Sequence, residues 1–150
     1  MKTQKGYSII DILITIALVV LVVLIILVMF YFVSKDSRDV KRISDMDAIR
    51  SAMARVKVQT GTFIDSGCGV GAVSECQSGL LSRVLPTVAK MSDPKGRVLC
   101  TQNCTEACEY SFVTAPTEAE FSVLFYLETG AGNYSQKGCY VLTQDGIKLR

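Results

Sequence analysis

Residues 7–33 read YSIIDILITIALVVLVVLIILVMFYFV, and this apolar run carries a single charge, at Asp11. A helix needs about 20 consecutive apolar residues to cross a hydrocarbon core roughly 30 Å thick. The segment therefore predicts a transmembrane helix. A carboxylate inside a membrane costs about 2.5–3.5 kcal/mol on insertion scales, so Asp11 is a candidate functional residue.

A short basic leader, Met1 to Gly6, precedes this run and completes a motif. The order Lys5-Gly6-Tyr7, with Asp11 four residues further on, resembles the class III signal of type IV pilins and pseudopilins. The resemblance implies that the prepilin peptidase of the membrane cleaves after Gly6 and N-methylates Tyr7, which leaves an acid at the fifth mature position. The family usually has Phe and Glu where this chain has Tyr7 and Asp11.

A cleaved secretory signal and an uncleaved signal anchor are the alternatives for the same segment. A secretory signal has an apolar core of about 7–15 residues followed by a small-x-small site. The run here is about twice that long, and no Ala-x-Ala pattern follows Val33. A signal anchor fits the length but gives no reason for the Lys5-Gly6 pair or for Asp11, so we favour processing after Gly6.

Lys2 and Lys5 are the only charged side chains before the apolar run. The positive-inside rule then holds the N-terminus in the cytoplasm and places residues 34–150 outside. We expect a single-pass protein of the inner or cytoplasmic membrane, covered by membrane lipid. The resemblance implies later assembly into an extracellular filament.

The exported region contains six cysteines, which suits disulfides in an oxidising compartment. They are Cys68, Cys76, Cys100, Cys104, Cys108 and Cys139. A zinc site formed by the last four is the alternative, but the chain has no His and the three-residue spacings match zinc knuckles poorly, so no metal is predicted. Six cysteines allow 15 pairings, and sequence does not choose among them. The pairs we favour are Cys68–Cys76 and Cys108–Cys139.

The charge balance limits which classes of function fit this chain. Removal of the leader takes Lys2 and Lys5 from 16 basic side chains and leaves 14, against 14 acidic ones. A nearly neutral chain has no long-range repulsion between copies, and it argues against a general nucleic-acid binder, although nucleic acid stays open as a partner. With no His and no legible nucleophile-base set, we predict no enzyme activity and no cofactor.

The predicted helix continues beyond the apolar run. Residues 34–59 contain neither Gly nor Pro, and Thr60-Gly61 is a natural helix stop. One helix of about 54 residues is expected, close to 80 Å long at about 1.5 Å per residue. Charged side chains, among them Asp39 and Arg42, are expected on its solvated faces. Apolar residues recur every three or four positions and predict one buried stripe: Val40, Ile43, Met46, Ile49, Met53 and Val56.

Charge is unevenly distributed after the span. Residues 35–57 carry seven basic and four acidic side chains, whereas residues 106–128 carry five acidic side chains and no basic one. We expect these segments, with net charges of +3 and −5, to meet between neighbouring subunits and to orient them. A merely solvated helix face is the alternative.

The middle of the exported region predicts loops. Gly67 to Gly71 with Cys76 suggests a glycine-rich loop closed by a disulfide, and Ser78 is the expected cap of a short helix that ends before Pro86. Residues 92–96, Ser-Asp-Pro-Lys-Gly, predict a tight turn. They resemble a turn found before the sheet in some pseudopilins.

The C-terminal third predicts an antiparallel sheet. Residues 121–128 alternate as a strand does when one face lies on a core, and residues 110–113 and 139–143 are its expected companions. Gln144-Asp145-Gly146 predicts a tight turn into residues 147–150. A long N-terminal helix packed on a small C-terminal antiparallel sheet makes an α+β fold, which is also the pilin architecture that the resemblance implies.

The expected organisation has three parts: a leader at 1–6, a transmembrane and assembly helix at 7–33, and an extracytoplasmic domain at 34–150. Within that domain we expect an amphipathic helix at 34–60, a cysteine-containing loop region at 61–109 and the sheet at 110–150.

Cleavage would leave Tyr7 with a cationic α-amine, one helical turn before Asp11. The carboxylate of Asp11 then pairs with its own amine near the positive end of the helix dipole or, as the resemblance implies, with the amine of an adjacent subunit. Head-to-tail contacts between identical rods give an open helical filament. No Gly or Pro interrupts residues 9–33, so the helix is expected to be continuous there.

Three functions fit these features. The first is a structural subunit of a type IV pilus or related filament, processed by prepilin peptidase and polymerised with itself by an inner-membrane assembly platform and motor ATPase. The second is a pseudopilin of a type II secretion or DNA-uptake system. The third is a signal-anchored, disulfide-rich binding domain that does not polymerise.

Overall fold

The computed structural model describes residues 9–150, apart from the side chain of Phe32. The chain divides into two compact units between Lys35 and Asp36. The helices are α1 (Ile9–Thr60) and α2 (Leu80–Val84), with single 3-10 turns at Ile64–Ser66, Val73–Glu75 and Val88–Lys90. The strands are β1 (Gly71–Ala72), β2 (Ser111–Phe112), β3 (Val123–Leu127), β4 (Gly138–Thr143) and β5 (Gly146–Leu149).

The long, continuous helix is confirmed. α1 is 52 residues long and contains no Gly or Pro that would break its hydrogen-bond ladder. It ends at Thr60 because Gly61 adopts a left-handed conformation with φ of 82° and donates its N–H to the carbonyl of Lys57 at 2.8 Å. That conformation costs a residue with a side chain about 1–2 kcal/mol, so the predicted stop has a steric cause.

The buried stripe of α1 differs from the prediction at its N-terminal end. Met46, Ile49, Met53 and Val56 are fully buried as expected, but Val40 is 58% exposed. The stripe continues instead through Arg42 and Asp39, both with no exposed surface. Counted back from Met46, these two positions keep the alternating spacing of four and three residues, whereas Val40 lies about 100° away around the helix.

The five strands form one antiparallel sheet in the order β1-β2-β3-β4-β5. The longest pairing, β3 with β4, places Phe125 opposite Tyr140. β4 and β5 are joined through the pair Thr143 and Gly146, which confirms the predicted hairpin. The stripe of α1 and one face of the sheet share a single apolar core, so the α+β fold with a helix packed on a small antiparallel sheet is confirmed.

Strand β3 is buried on both faces, not on one as the alternating sequence predicted. All five of its residues are buried. Phe125 and Leu127 face the core under α1, while Leu124 and Tyr126 pack in a second apolar cluster with Cys100 and Cys108. The disulfide-closed segment between these cysteines therefore covers the face that the alternation left to solvent.

All six cysteines are paired in three disulfides. The predicted Cys68–Cys76 bond is confirmed. The predicted Cys108–Cys139 bond is wrong, because Cys108 pairs with Cys100 and Cys139 pairs with Cys104. The backbone N–H of Cys100 donates to the carbonyl of Glu109 at 2.9 Å, next to the Cys100–Cys108 disulfide. Cys104, in the loop between Cys100 and Cys108, is therefore the cysteine that bonds to Cys139 on β4.

The short helix α2 is not capped by Ser78 as predicted. Gly79 occupies the N-cap position and makes no side-chain cap hydrogen bond. A methyl group at Gly79 would lie 2.0 Å from the carbonyl oxygen of Ser66 and 2.3 Å from the Cα of Gly67. Two backbone segments, one on each side of the Cys68–Cys76 bond, therefore touch here without side chains between them.

The Gly79 contact gives the first prediction. Gly79→Ala is expected to lower the free energy of unfolding by about 1–3 kcal/mol or more, because the added methyl group meets backbone that has no side chain to move away. Gly69→Ala is the matched control, since a Cβ there meets nothing within 4 Å, and it should stay within about 0.5 kcal/mol. Denaturant unfolding of the purified full-length chain in detergent measures both, and equal stability of the two variants would contradict the contact.

Candidate functional site

Most residues of the predicted N-terminal motif lie outside the described part of the chain. This holds for the leader charges Lys2 and Lys5, for the cleavage site at Gly6 and Tyr7, and for the methylation site at Tyr7. Asp11 is described: it lies in the first turn of α1 as described and is exposed. It is the acidic residue of a helix segment that is otherwise apolar up to Val33.

The first half of α1 exposes its apolar side chains on all sides. The large apolar side chains that are described between Ile9 and Val33 are 44–78% exposed. This helix is long and apolar enough to cross a membrane, with a mean hydropathy of 3.6 over its most apolar 18 residues, none of them buried. A soluble protein rarely exposes so large a contiguous apolar surface, which instead marks a membrane or protein contact.

Two hydroxyl groups, one within this apolar segment and one just after it, are satisfied by the helix itself. The Thr15 hydroxyl donates to the carbonyl of Ile12 at 2.8 Å, and the Ser34 hydroxyl donates to the carbonyl of Phe30 at 2.7 Å. Such back-bonding lets a polar side chain enter an apolar environment without an orphaned donor. Thr15 and Ser34 are therefore compatible with a helix surrounded by lipid or by other helices.

A buried ion cluster lies in the second unit, around the guanidinium of Arg42. Its Nε and Nη2 atoms donate to the two carboxylate oxygens of Asp93 at 2.6 and 2.9 Å. Its Nη1 atom donates to Asp39 at 2.7 Å and to Glu128 at 3.0 Å. Arg38 adds a two-pronged contact to Glu128, at 2.8 and 2.9 Å. We call these five residues the Arg42 cluster.

Asp39 connects α1 to the end of β3. Its carboxylate accepts the backbone N–H groups of Glu128, Thr129 and Gly130 at 3.0, 2.7 and 3.0 Å. The Thr129 hydroxyl donates to the same carboxylate at 2.9 Å. One helix side chain therefore satisfies three consecutive amides where the chain leaves the sheet, and burial makes such charge-assisted bonds strong.

Asp93 builds the predicted turn at residues 92–96 and joins it to the same cluster. Its Oδ1 atom accepts the backbone N–H groups of Lys95 at 2.8 Å and Gly96 at 2.5 Å, as Asp commonly does in turns. Both of its oxygens also face Arg42. The turn and the helix are thus bonded through one buried carboxylate.

The electrostatics of the cluster favour the charged forms. Burial acts to lower the pKa of Arg42, but its hydrogen bonds to Asp93 and Asp39 outweigh burial and raise the pKa above its ordinary value. The hydrogen bond from Arg38 lowers the pKa of Glu128 to about 2. Burial acts to raise the pKa of Asp39, but the amides of Glu128 and Thr129 outweigh it and lower that pKa. Arg42, Glu128 and Asp39 therefore stay ionised at neutral pH.

The predicted meeting of opposite charges between subunits needs correction for three residues, which pair within one chain. Arg38 and Arg42 of the basic segment pair with Glu128 of the acidic segment inside one chain. Lys57 also has a partner within the chain, since its Nζ atom donates to the backbone carbonyl of Glu118. These cations therefore have partners within their own chain and need none from a neighbouring subunit. The intersubunit hypothesis is left with exposed groups such as the Glu118 and Glu120 side chains.

The four cysteines after residue 99 are the group in the described chain best suited to metal. The Sγ atoms of Cys100, Cys104 and Cys108 lie within 4.8 Å of one another, and Cys104 is bonded to Cys139. All four are disulfide-bonded, and a disulfide sulfur is not the thiolate that binds metal.

Sequence reasoning missed the Arg42 cluster, although a signal was present. Asp39 and Arg42 fit the spacing of the buried stripe when it is extended towards the N-terminus, and they were assigned to solvent because charged side chains are seldom buried. Their partners Asp93 and Glu128 lie 51 and 86 residues from Arg42.

No protein-family model, curated protein or solved structure matches this chain.

Replacing the buried guanidinium is expected to destabilise the domain strongly. Arg42→Met leaves three carboxylates facing one another without their shared cation, and loss of one partner of a buried ion network costs about 3–5 kcal/mol. Arg55→Met is the matched control, because Arg55 is exposed on the same helix and its loss should cost less than about 0.5 kcal/mol. Denaturant unfolding measures the difference. Equal stability of the two variants would show that the cluster contributes nothing.

The lowered pKa of Glu128 predicts a pH dependence. Its folded-state pKa of about 2 lies below its ordinary value of 4.5, so the unfolded chain binds more protons between these values. The stabilisation is complete above pH 4.5 and is lost as the pH falls to about 2; its size is about 3 kcal/mol. Asp39 contributes in the same direction.

Glu128→Gln tests this assignment. The variant should be less stable at pH 7 by about 2–3 kcal/mol and should lose less stability between pH 4.5 and 2 than the natural chain does. Glu118→Gln, at an exposed position, should change neither quantity. An acid limb of unchanged depth in Glu128→Gln would remove Glu128 from the pH dependence.

Proposed function

We propose that this chain is the structural subunit of a type IV pilus or a related filament, processed after Gly6 and polymerised through its N-terminal helix. The observation that carries the proposal is the apolar surface of α1 from Ile9 to Val33, exposed on all sides, directly after the Lys5-Gly6-Tyr7 motif. Such a surface needs a cover. Lipid covers it in the membrane, and the same segment of neighbouring subunits covers it in the filament.

Orientation and partners follow from this proposal. Lys2 and Lys5 keep the N-terminus in the cytoplasm, where the prepilin peptidase reaches Gly6, and the domain that begins at Asp36 folds outside. An inner-membrane assembly platform and a motor ATPase then lift the subunit out of the bilayer. The six paired cysteines support an oxidising compartment for this domain.

Asp11 gives the assembly step its register. A carboxylate in an apolar filament core costs several kcal/mol if it is left unpaired. The methylated amine of Tyr7 on an adjacent subunit supplies the opposite charge, and the pair forms at one axial offset between the helices. Because Asp has one methylene fewer than the usual Glu, the two helices must approach more closely for the contact to form.

The Arg42 cluster has a mechanical part in the same function. Force applied to α1 during extraction must reach the folded domain, and Asp39 and Arg42 connect the helix to the sheet and to the 92–96 turn through buried, charge-assisted bonds. Breaking these bonds would leave charged groups without partners inside the domain. Within the second unit, the part of α1 that begins at Asp36 is therefore bonded both to the sheet and to the 92–96 turn.

A pseudopilin of a type II secretion or DNA-uptake system is the runner-up, since it would have the same motif, helix and processing. Filaments on the cell surface favour the pilus, whereas polymers confined to the envelope favour the pseudopilin. A signal-anchored binding domain differs from both, because it keeps its Met1 end.

Processing is the decisive prediction. Intact-mass and N-terminal analysis of protein from the native membrane or from sheared surface material should find a chain that begins at Tyr7 with one added methyl group. Gly6→Leu should abolish the cleavage and leave the chain in the membrane, whereas the control Gly69→Ala should be processed normally.

A natural chain that still begins at Met1 in surface or membrane fractions would overturn the proposal in both its pilus and its pseudopilin forms. A secretory-type cut beyond Val33 would do the same, since it would remove the helix on which the polymer depends.

A further inference from the structure

Four sulfur atoms are gathered on the face of the sheet away from α1. Cys100 and Cys108 are buried against Leu124 and Tyr126 of β3. Cys104, halfway between them in sequence, has its Sγ atom within 4.8 Å of both, and it is bonded to the fourth sulfur, that of Cys139. We call Cys100, Cys104, Cys108 and Cys139 the sulfur cluster.

Three of the sulfurs are spaced almost as in a tetrathiolate zinc site. Zn–S bonds of about 2.3 Å in a tetrahedron place the sulfurs about 3.8 Å apart, and the Sγ atoms of Cys100, Cys104 and Cys108 lie within 4.8 Å of one another. The sulfur of Cys139 is outside that group and is bonded to Cys104, so the loop from Cys100 to Cys108 has to shift relative to β4 for all four to reach one metal ion. The loop can shift because Thr101, Gln102, Asn103, Thr105 and Glu106 are exposed.

The surroundings suit the charge of such a site. Zinc bound by four thiolates carries a net charge of −2, which needs nearby positive groups. Lys95 and Arg97 line a groove of about 410 Å³ together with Cys104, Cys108 and the acidic Glu106. Lys95 also pairs with Glu128 at 3.3 Å, so Arg97 is the positive group that this groove adds. The chain has no His, so four thiolates are also the complete set of strong ligands that zinc would find here.

We propose that the sulfur cluster has two alternative closed states: two disulfides under oxidising conditions, and one bound Zn²⁺ under reducing conditions. Two molecules of a dithiol reduce the two disulfides, giving four electrons and four protons to form four thiols and becoming two disulfides themselves. Zn²⁺ then displaces the four thiol protons. In either state the loop from Cys100 to Cys108 stays bonded to β4 and covers Leu124 and Tyr126.

This inference does not depend on the proposed filament function. It concerns the chemistry of the domain itself, and it holds whether or not Gly6 is cleaved. If the domain were found in a reducing compartment, the zinc state would be its resident form.

The test uses the full-length chain in detergent. A trialkylphosphine reduces all disulfides, taking the oxygen of water to become the phosphine oxide, and is removed under anaerobic conditions before Zn²⁺ alone is added. Native mass spectrometry should show one zinc per reduced chain and none per oxidised chain. Replacing Zn²⁺ with Co²⁺ should give the intense visible absorption of a tetrahedral thiolate complex.

Cys68 and Cys76 provide the matched control, since they form a third disulfide outside the sulfur cluster. The double variant Cys68→Ser/Cys76→Ser should still bind one zinc. Cys104→Ser should lose affinity by more than about 100-fold, because even outer-shell changes at zinc sites cost 10–100-fold.

Alkylation of the reduced natural chain gives a readout that needs no variant to fold. With Zn²⁺ present, Cys68 and Cys76 should react rapidly while the four thiols of the sulfur cluster are protected, and a chelator should remove that protection. No bound metal, equal protection of all six cysteines, or unchanged affinity in Cys104→Ser would each overturn the proposal.

Discussion

The second unit of this protein depends on one buried guanidinium. Arg42 contacts Asp39 on its own helix, Asp93 in the 92–96 turn and Glu128 at the end of β3. Burying an ion costs several kcal/mol before any partner is counted, so the cluster is stable only because every donor and acceptor is matched. Among the described residues no buried side-chain nitrogen or oxygen lacks a hydrogen-bond partner. The consequence is an all-or-none arrangement in which helix, turn and strand end must be placed together.

The Arg42 cluster fixes the position of α1 along the sheet, which apolar packing alone does not. Met46, Ile49 and Met53 pack on the sheet with flexible or similar side chains, and such a stripe tolerates a shift of one helical turn, about 5.4 Å, at modest cost. The Arg42 cluster does not, because the same shift would separate a two-pronged ion pair and orphan three backbone amides. Register therefore comes from the charged end of the stripe and burial energy comes from its apolar end.

Local patterns in the sequence were enough for much of the fold. The end of α1 at Thr60, the apolar positions from Met46 to Val56 and the hairpin at Thr143 follow from glycine conformation, helical periodicity and turn chemistry. Two of the failures have a different cause, since each depends on a partner distant in the chain. Asp39 and Arg42 were expected in solvent because their partners, Asp93 and Glu128, are far away in the sequence. One face of β3 was left open because nothing local says that the 100–108 segment folds over it. Of the two predicted disulfides, Cys68–Cys76 is confirmed and Cys108–Cys139 is wrong. Cys108 pairs with Cys100, eight residues away, whereas the partner of Cys139 is Cys104, 35 residues away.

The two halves of α1 differ in what completes them. Neither buried apolar cluster contains a described residue from Ile9 to Val33, so the core of the second unit is built without the first half of the helix. For the filament subunit that we propose, which would leave a bilayer on assembly, that separation matters: if the domain needed those side chains for its own core, every change of their surroundings would cost it stability. Under that proposal the apolar surface exchanges lipid for neighbouring helices while the Arg42 cluster, the disulfides and the sheet keep the same contacts. The free energy of the proposed assembly would then be set by how well helix contacts replace lipid contacts and by how Asp11 is paired, and not by any refolding of the domain.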